Sequence, residues 1–394
     1  MRTLTRILSS LAAAFGCAAA LVGVCVADAG DGRHDVGAPP AVLSPAEIQI
    51  GAAERRRDPI QMAIGLTRRA RETGDPAYYD RALQALDEVL RSDRRNSDAL
   101  RVSAWVRMGR HEFAAARRIA RRHLADHPED AVAWGILGDA DMELGRYDEA
   151  GIALQAMNDR RPGPAAYSRA AYLAELRGDL PGALELMQMS LAATGPLEVE
   201  DRAWLLVQIG HLRDLQGDLG AAEATYRSAL RSFPGYHYAL AALAELCLRT
   251  GRAAEAAEGA QQAIDVAPHA ERYLLLGDAL RALGREREAA AAEDRFETLA
   301  LENTGKADNE NHDLVLFYLE RRAEPGRALA IARREAARRR DVHTLDRLAW
   351  ALFNNGRHRA AARLMTAILE TGTPDPLIAR HAAAIRAARV SSTG

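Results

Sequence analysis

Two histidines four positions apart are the residues in this sequence best spaced to bind a metal ion. On a helix, His123 and His127 would lie on one side, where both imidazoles could reach one ion, and Asp126 stands beside them. A protein metal site needs at least a third ligand, and none is evident in this stretch of sequence. We therefore expect His123 and His127 to be solvated at an exposed helix end.

A second set of potential ligands consists of Asp308, Glu310 and Asp313, whose carboxylate oxygens suit calcium. Calcium loops also use a glycine turn and a closing bidentate glutamate, and this pattern lacks both. The sequence therefore predicts a polar, solvated loop here and, for the whole chain, no bound metal and no cofactor.

The motifs of the common catalytic sites are also missing. Gly305-Lys306-Ala307 lacks the earlier glycine and the following serine or threonine of a P-loop, and the sequence contains no G-x-S-x-G, H-E-x-x-H or C-x-x-C pattern. Lys306 is the only lysine of the chain, so lysine chemistry has a single candidate. We expect a protein that is not an enzyme.

Composition narrows the possible partners. The 394 residues include 52 Lys+Arg and 54 Asp+Glu, a formal net charge of −2, so the chain lacks the positive field of a nucleic-acid binder. Hydrophobic residues make up 48%, which is enough for a folded core. Short arginine runs are interleaved with acids and predict solvated helix faces. These runs are Arg55–Arg57, Arg117-Arg118, Arg121-Arg122 and Arg338–Arg340.

The first 27 residues have the layout of an export signal. Arg2 and Arg6 precede an almost uncharged apolar run, and Asp28 is the first acidic residue of the chain. This pattern is typical of a secretory signal peptide cleaved after Ala27, with residues 28–46 as a flexible spacer. We therefore expect the body of the protein to be extracytoplasmic, either periplasmic or secreted.

Two alternatives to cleavage stay open. Twenty-one apolar residues are long enough for a retained membrane anchor, and Cys17 or Cys25 could carry a lipid. Contact with a membrane is expected only through such an anchor or lipid. After cleavage Cys247 would be the sole cysteine, and its place on an apolar helical face predicts a buried, inert thiol.

A repeat of about 34 residues fills the rest of the chain. Glycine followed by a polar residue recurs at this spacing, alanine follows five positions later, and a small residue stands seven positions earlier. Small residues at a fixed phase let two helices approach closely, and glycine supplies the turn between them. The glycines are Gly74, Gly109, Gly145, Gly178, Gly217, Gly251, Gly284 and Gly356.

One unit carries a recognisable signature. Trp134, Leu137 and Gly138 give W-x-x-L-G, Leu144 to Ala150 reads L-G-R-Y-D-E-A, and Pro162 closes the unit. This pattern resembles the tetratricopeptide repeat at nearly every signature position. The tail of the chain is also similar to that of exported bacterial proteins of this type. The resemblance implies stacked helix–turn–helix hairpins whose first helices line a concave surface.

We therefore predict an all-α fold, a right-handed α-solenoid of about nine hairpins with a C-terminal capping helix. The solenoid is placed at residues 47–373, and the capping helix and tail at 374–394. Two hairpins are irregular. The first has a longer turn after Gly74, and the eighth has Ala323-Glu324-Pro325-Gly326 instead of a single glycine.

The resemblance also implies which residues point into the concave groove. At these positions the sequence has mainly acids and aromatic residues, whereas family members that grip a peptide carboxylate have basic residues there. The residues are Asp139, Glu143, Tyr172, Glu175, Trp204, His211, Asp214, Tyr238, Glu245, Glu271, Asp278, Trp350 and Phe353. An acidic, aromatic groove favours an extended segment that bears arginine or lysine. The alternative is that these acids only keep an open face soluble.

Two functions follow as hypotheses. The first is a non-enzymatic extracytoplasmic scaffold or adaptor that binds a protein or peptide segment in the groove and binds no nucleic acid. The second is a structural subunit of an envelope complex that oligomerises or braces a membrane assembly. Both place the function on a surface rather than in a reaction centre.

Overall fold

The computed structural model describes residues 43–306 and 310–391, and this part of the chain forms 20 helices and no strand. The first ten helices are α1 (Pro45–Arg56), α2 (Pro59–Thr73), α3 (Ala77–Ser92), α4 (Ser97–Gly109), α5 (Phe113–Asp126), α6 (Ala131–Glu143), α7 (Tyr147–Arg160), α8 (Pro164–Leu176), α9 (Leu180–Ala193) and α10 (Val199–Leu215). The others are α11 (Leu219–Ser232), α12 (His237–Arg249), α13 (Ala253–Val266), α14 (Ala270–Ala282), α15 (Glu286–Asn303), α16 (Asn311–Glu320), α17 (Pro325–Ala336), α18 (Val342–Asn354), α19 (His358–Leu369) and α20 (Pro376–Ser391). The predicted signal peptide lies outside the described residues.

Helices α2 to α19 pair in sequence order into nine hairpins, and each hairpin packs on the next. This confirms the all-α solenoid of helical hairpins. Helix α20 packs against α18 and α19, with Ile378, Ala382 and Ile385 buried among them. No helix in the described part of the chain is both long and apolar enough to cross a bilayer.

Glycine makes the turn in most hairpins, as the repeat predicts. Gly145, for example, has a φ of 69°, in the left-handed region that residues with a side chain avoid. Gly109 is an exception. It is the last residue of α4, a Cβ on it would lie 2.5 Å from the Tyr79 ring, and His111 takes the left-handed conformation instead. Its role is close packing rather than turning.

The small residues in the first helices allow the close approach that the pattern predicts. A Cβ on Gly138 would lie 2.5 Å from Leu154, and one on Gly210 would lie 2.4 Å from the Tyr226 ring. Real Cβ atoms do not come this close, so an alanine at either position would have to displace the neighbouring side chain. The predicted burial of Cys247 is confirmed, since that residue is 2% exposed.

Helix α1 is a helix that the repeat pattern does not predict. It begins with a capping box, in which Ser44 accepts from the Glu47 amide and the Glu47 carboxylate accepts from the Ser44 amide. The helix packs against α2, and the Ala46 amide donates to Glu72 Oε1 at 3.2 Å. It therefore extends the array by one helix ahead of the first hairpin.

Hairpins that are far apart in the sequence also contact each other, in two regions that we call the first seam and the second seam. The first seam involves the end of α2. Here Arg71, at the end of α2, pairs with Glu200 at 2.9 Å, and its carbonyl accepts from the His237 ring at 3.3 Å. A Cβ on Gly74, which follows α2, would lie only 2.4 Å from His269 Nε2.

The second seam joins the third and fourth hairpins to the last part of the chain. The Arg340 amide donates to the Glu143 carbonyl at 3.0 Å, and the Val342 amide donates to Tyr147 Oη at 2.9 Å. Nearby, a Cβ on Gly178 would lie 2.5 Å from the carbonyl oxygen of Gly372. The solenoid is therefore wound so tightly that its successive turns touch.

Candidate functional site

The residues predicted to line an open groove are mostly buried. Those with little exposure are Asp139, Glu143, Tyr172, Glu175, Trp204, His211, Asp214 and Glu245. Those that are half-buried are Tyr238, Glu271, Asp278, Trp350 and Phe353. The inner face of the first helices is thus largely covered by the chain itself, and the partner-binding role of these residues stays a prediction.

The buried acids form a ladder of ion pairs along the inner face. Four acids on first helices meet a basic side chain that lies on, or directly after, the first helix of the next hairpin. Asp139 Oδ2 lies 2.9 Å from both Nε and Nη2 of Arg169, and Glu175 Oε1 lies 3.2 Å from His211 Nε2. Asp214 with Arg249 and Asp278 with Arg321 repeat the arrangement. We call these four pairs the inner ladder.

Burial raises the pKa of acids on the inner face. It raises the pKa of Asp139 although Arg169 opposes the shift, and it raises the pKa of Glu245 well above its usual range. Burial alone would lower the pKa of His211, but Glu175 and Asp214 outweigh it and the pKa is raised. His211 therefore occupies the position that arginine has at the other steps of the ladder.

The second seam brings a buried ionic cluster onto the same face. Arg339 Nη2 lies 2.8 Å from Glu143 Oε2, and Arg339 Nε lies 2.8 Å from Asp341 Oδ2. Burial raises the pKa of Glu143 to about 7 against the opposing charge of Arg339. The prediction that the Arg338–Arg340 run is a solvated face is wrong for Arg339, which is 6% exposed because it closes this seam.

The predicted aromatic platforms pack against neighbours in the same chain. The Trp350 ring stacks on His381 at 4.3 Å between centroids and on Phe353 at 5.3 Å. Tyr238 lies 4.1 Å from the His237 ring. Trp350, Phe353 and Tyr238 still keep part of their surface exposed, so they are the predicted aromatic residues that solvent reaches.

The expectation that both histidines are solvated is wrong for His123, whereas His127 at the helix end is partly exposed. His123 is 2% exposed, and its Nε2 lies 2.8 Å from Asp130 Oδ2. His127 stacks on the His123 ring at 4.9 Å. Asp130 also caps α6 through the Val132 and Ala133 amides, so the imidazole of His123 supports a helix start.

The outer face has an apolar groove between α7, α8 and α9, with a volume of about 1100 Å³. Leu154, Leu173 and Leu186 contribute to its walls, as do Ile152 and Met189, which are 69% and 43% exposed. Exposed apolar side chains that line one groove are typical of a contact surface.

Comparison with known sequences identifies the repeat. Two family models described as tetratricopeptide repeat match this chain, one over residues 107–176 and the other over residues 208–270. The chain contains tetratricopeptide repeats. Curated protein sequences give no match to it.

Solved structures agree with this fold. The chain of the APC/C hetero-tetramer Cut9–Hcn1 is 18% identical with a TM-score of 0.52, over 78% of this chain and 58% of that one. The human IFIT1 dimer with PPP-AAAA is 15% identical with a TM-score of 0.54, over 82% and 77%. The present chain matches 58% of the Cut9–Hcn1 chain, which is less than two thirds of that chain's length. At such identities the likeness concerns the fold alone.

Sequence reasoning found the acids of this tetratricopeptide repeat protein but missed their partners. Arg169, Arg249, Arg321 and Arg339 each neutralise an inner acid. The composition did indicate arginine partners for these acids. The chain has a single lysine, so almost all of its side-chain cations are arginine, and arginine is suited to buried ion pairs. The tetratricopeptide repeats support a protein-interaction scaffold.

Proposed function

We propose that this tetratricopeptide repeat protein is a non-enzymatic extracytoplasmic scaffold that binds a segment of a partner protein on its inner face. The array of hairpins supports a scaffold, since it presents a long surface and no catalytic motif was found in the sequence. The location rests on the sequence, in which Arg2 and Arg6 precede a long apolar run.

The inner ladder is the observation that carries the choice of partner. Its acids already hold guanidinium groups within the chain, as Asp139 does with Arg169 at 2.9 Å. A partner segment bearing arginine offers the same planar group and the same charge-assisted hydrogen bonds. Such a segment would bind by exchanging with an internal arginine, and the partly exposed Tyr238 and Trp350 would add aromatic surface.

A second candidate function is a structural subunit that joins other copies or braces a membrane assembly. The observation that favours it is the outer groove, where Ile152 and Met189 are exposed while the inner face is covered. In that case the contact would be apolar and would lie on the convex side.

The test is photocrosslinking in cells that express the full chain. A photoreactive residue replaces Tyr238 or Trp350 on the inner face, Ile152 in the outer groove, or Gln188 as an exposed control on α9. Capture of one or a few proteins from Tyr238 and Trp350 alone supports the inner-face scaffold. Capture from Ile152 alone supports the structural subunit, and equal capture from all four positions contradicts both.

The location has its own test. The intact mass of the protein recovered outside the cytoplasm should correspond to a chain that starts at Asp28. A mass increased by a lipid on Cys17 or Cys25 would indicate lipidation, and a full-length mass in membranes would indicate a retained anchor. Recovery of the full-length chain only from the cytoplasm contradicts the extracytoplasmic proposal.

A further inference from the structure

Three potential metal ligands meet where the seventh hairpin, α14 with α15, begins and ends. His269 immediately precedes α14, Glu271 lies in the first turn of that helix, and Glu310 immediately precedes α16. One ring nitrogen and two carboxylate oxygens, one from each residue, all lie within 4.8 Å of one another. All three side chains are partly exposed, so an ion from solution can reach them.

The fold brings these residues together in two ways. A hairpin returns the chain to its starting side, so the residue that follows α15 comes back to the residues that precede α14. The first seam then restrains the imidazole, because His269 Nε2 packs on Gly74 where a Cβ would be only 2.4 Å away. The cluster thus joins three hairpins of the array.

A neighbouring side chain supports Glu310, whereas Glu271 is less constrained. The Asn303 side-chain amide donates to both Glu310 oxygens, at 3.3 and 3.4 Å. Arg272 Nε lies 3.9 Å from Glu271, but the terminal nitrogens of Arg272 are directed to His237 and to the Ala267 carbonyl. Two carboxylates therefore converge on one imidazole, a donor set that can coordinate a cation.

The donor types indicate the kind of ion. Imidazole nitrogen with carboxylate oxygens suits zinc and similar transition metals, whereas calcium prefers six to eight oxygens. Ligand atoms about 2.0–2.2 Å from one ion are at most about 4 Å apart, so a small rotation of the partly exposed Glu271 side chain would bring the set into range. We propose that His269, Glu271 and Glu310 bind a divalent transition-metal ion that ties the seventh hairpin to the first seam.

This site differs from both ligand sets considered in the sequence. It uses Glu310 without its sequence neighbours and does not involve His123 or His127. The sequence offered no signal for it, because His269 and Glu310 are brought together by the fold rather than by spacing. The proposal is independent of the partner bound on the inner face.

The site is tested by titrating zinc into the EDTA-treated protein and measuring the heat of binding by calorimetry. We expect about one Zn²⁺ per chain and a higher melting temperature when zinc is present. H269A and the double variant E271Q/E310Q should lose this binding. Asn303→Ala removes only the hydrogen bonds that support Glu310, so it should weaken the affinity for zinc about tenfold. The matched control is His127→Ala, a partly exposed histidine away from the cluster.

Circular dichroism of each metal-free variant separates loss of the site from loss of the fold. The glutamine variants keep the shape of the side chains, so they remain informative even if H269A is poorly folded. Absence of zinc binding to the wild-type protein overturns the proposal. Binding that survives E271Q/E310Q, or that H127A abolishes, overturns it as well, because the ion would then be bound elsewhere.

Discussion

Arg339 lies in the loop before α18, yet its Nη2 atom is 2.8 Å from Oε2 of Glu143 at the end of α6. The two side chains are both buried, and Asp341 accepts a hydrogen bond from the same guanidinium. This contact joins the third hairpin to the last one. It converts an open array into a superhelix whose turns hold one another.

Replacing Arg339 by alanine should destabilise the protein strongly. The change leaves Glu143 and Asp341 buried without their cation, a situation that typically costs about 3–5 kcal/mol. Urea unfolding should show this loss, and R339A/E143Q should recover part of it because the double variant removes one uncompensated charge. A double variant that is no more stable than R339A would contradict the pairing.

Protonation of Glu143 should make the folded protein more stable as the pH falls from about 7 toward 4.5. Its folded pKa is raised to about 7 while its unfolded pKa is the ordinary value, so the folded state binds the proton over this interval. The raised pKa values of His211 and His343 act in the same direction around and above pH 6.5. Lowered pKa values at His237 and His312 act against it below pH 6.5.

Melting temperatures between pH 5 and 8 measure the balance of these groups. We expect a maximum at mildly acidic pH, and the slope above that maximum should flatten in E143Q, which cannot titrate. An E143Q profile that is parallel to the wild-type profile would contradict the assignment to Glu143.

Gly145→Ala should cost more than Gly284→Ala, although the two glycines have φ values of 69° and 73°. In both variants the alanine must adopt a left-handed conformation, which costs about 1–2 kcal/mol. Only at Gly145 would the new Cβ meet another part of the chain, since it would lie 2.4 Å from the Arg340 carbonyl oxygen, whereas Gly284 has nothing within 4 Å.

The two glycine variants can be compared by unfolding midpoint and by small-angle scattering. G145A should also expand the molecule, because it separates the second seam, while G284A should keep the wild-type radius of gyration. Equal losses of stability and equal radii would show that the seam contributes little.

Ile152→Asp should leave folding unchanged and remove contacts made through the outer groove. Ile152 is 69% exposed, so the substitution buries no charge, but it places a carboxylate beside Leu173 and Met189. Under the structural-subunit function, I152D should lose self-association or capture of its partner. Gln188→Asp, also on an exposed position of α9, is the control.

Structural features that depend on residues close together in the sequence could be predicted, whereas those that depend on residues far apart in the sequence could not. The hairpins follow from local rules, because a glycine such as Gly145 turns the chain and a small residue such as Gly138 admits a neighbouring helix. Helix α1 falls outside the repeat, although Ser44 and Glu47 form a capping box that could have revealed it.

The candidate site was less predictable because it depends on partners from distant parts of the chain. The repeat phase places Asp139 and Glu143 on the inner face, but it carries no information about which arginine will reach them. Arg169 comes from the next hairpin and Arg339 from the last one. An acid that looks free in the sequence can therefore be neutralised in the fold.

The two seams also restrict how this array can change length. In an open solenoid each hairpin touches only its neighbours, so a unit can be inserted or deleted while the others keep their contacts. Here one additional hairpin between Tyr147 and Val342 would bring a different loop opposite Tyr147, and the donor to its hydroxyl would be lost. The number of hairpins between the seam partners is therefore fixed by the winding of the superhelix.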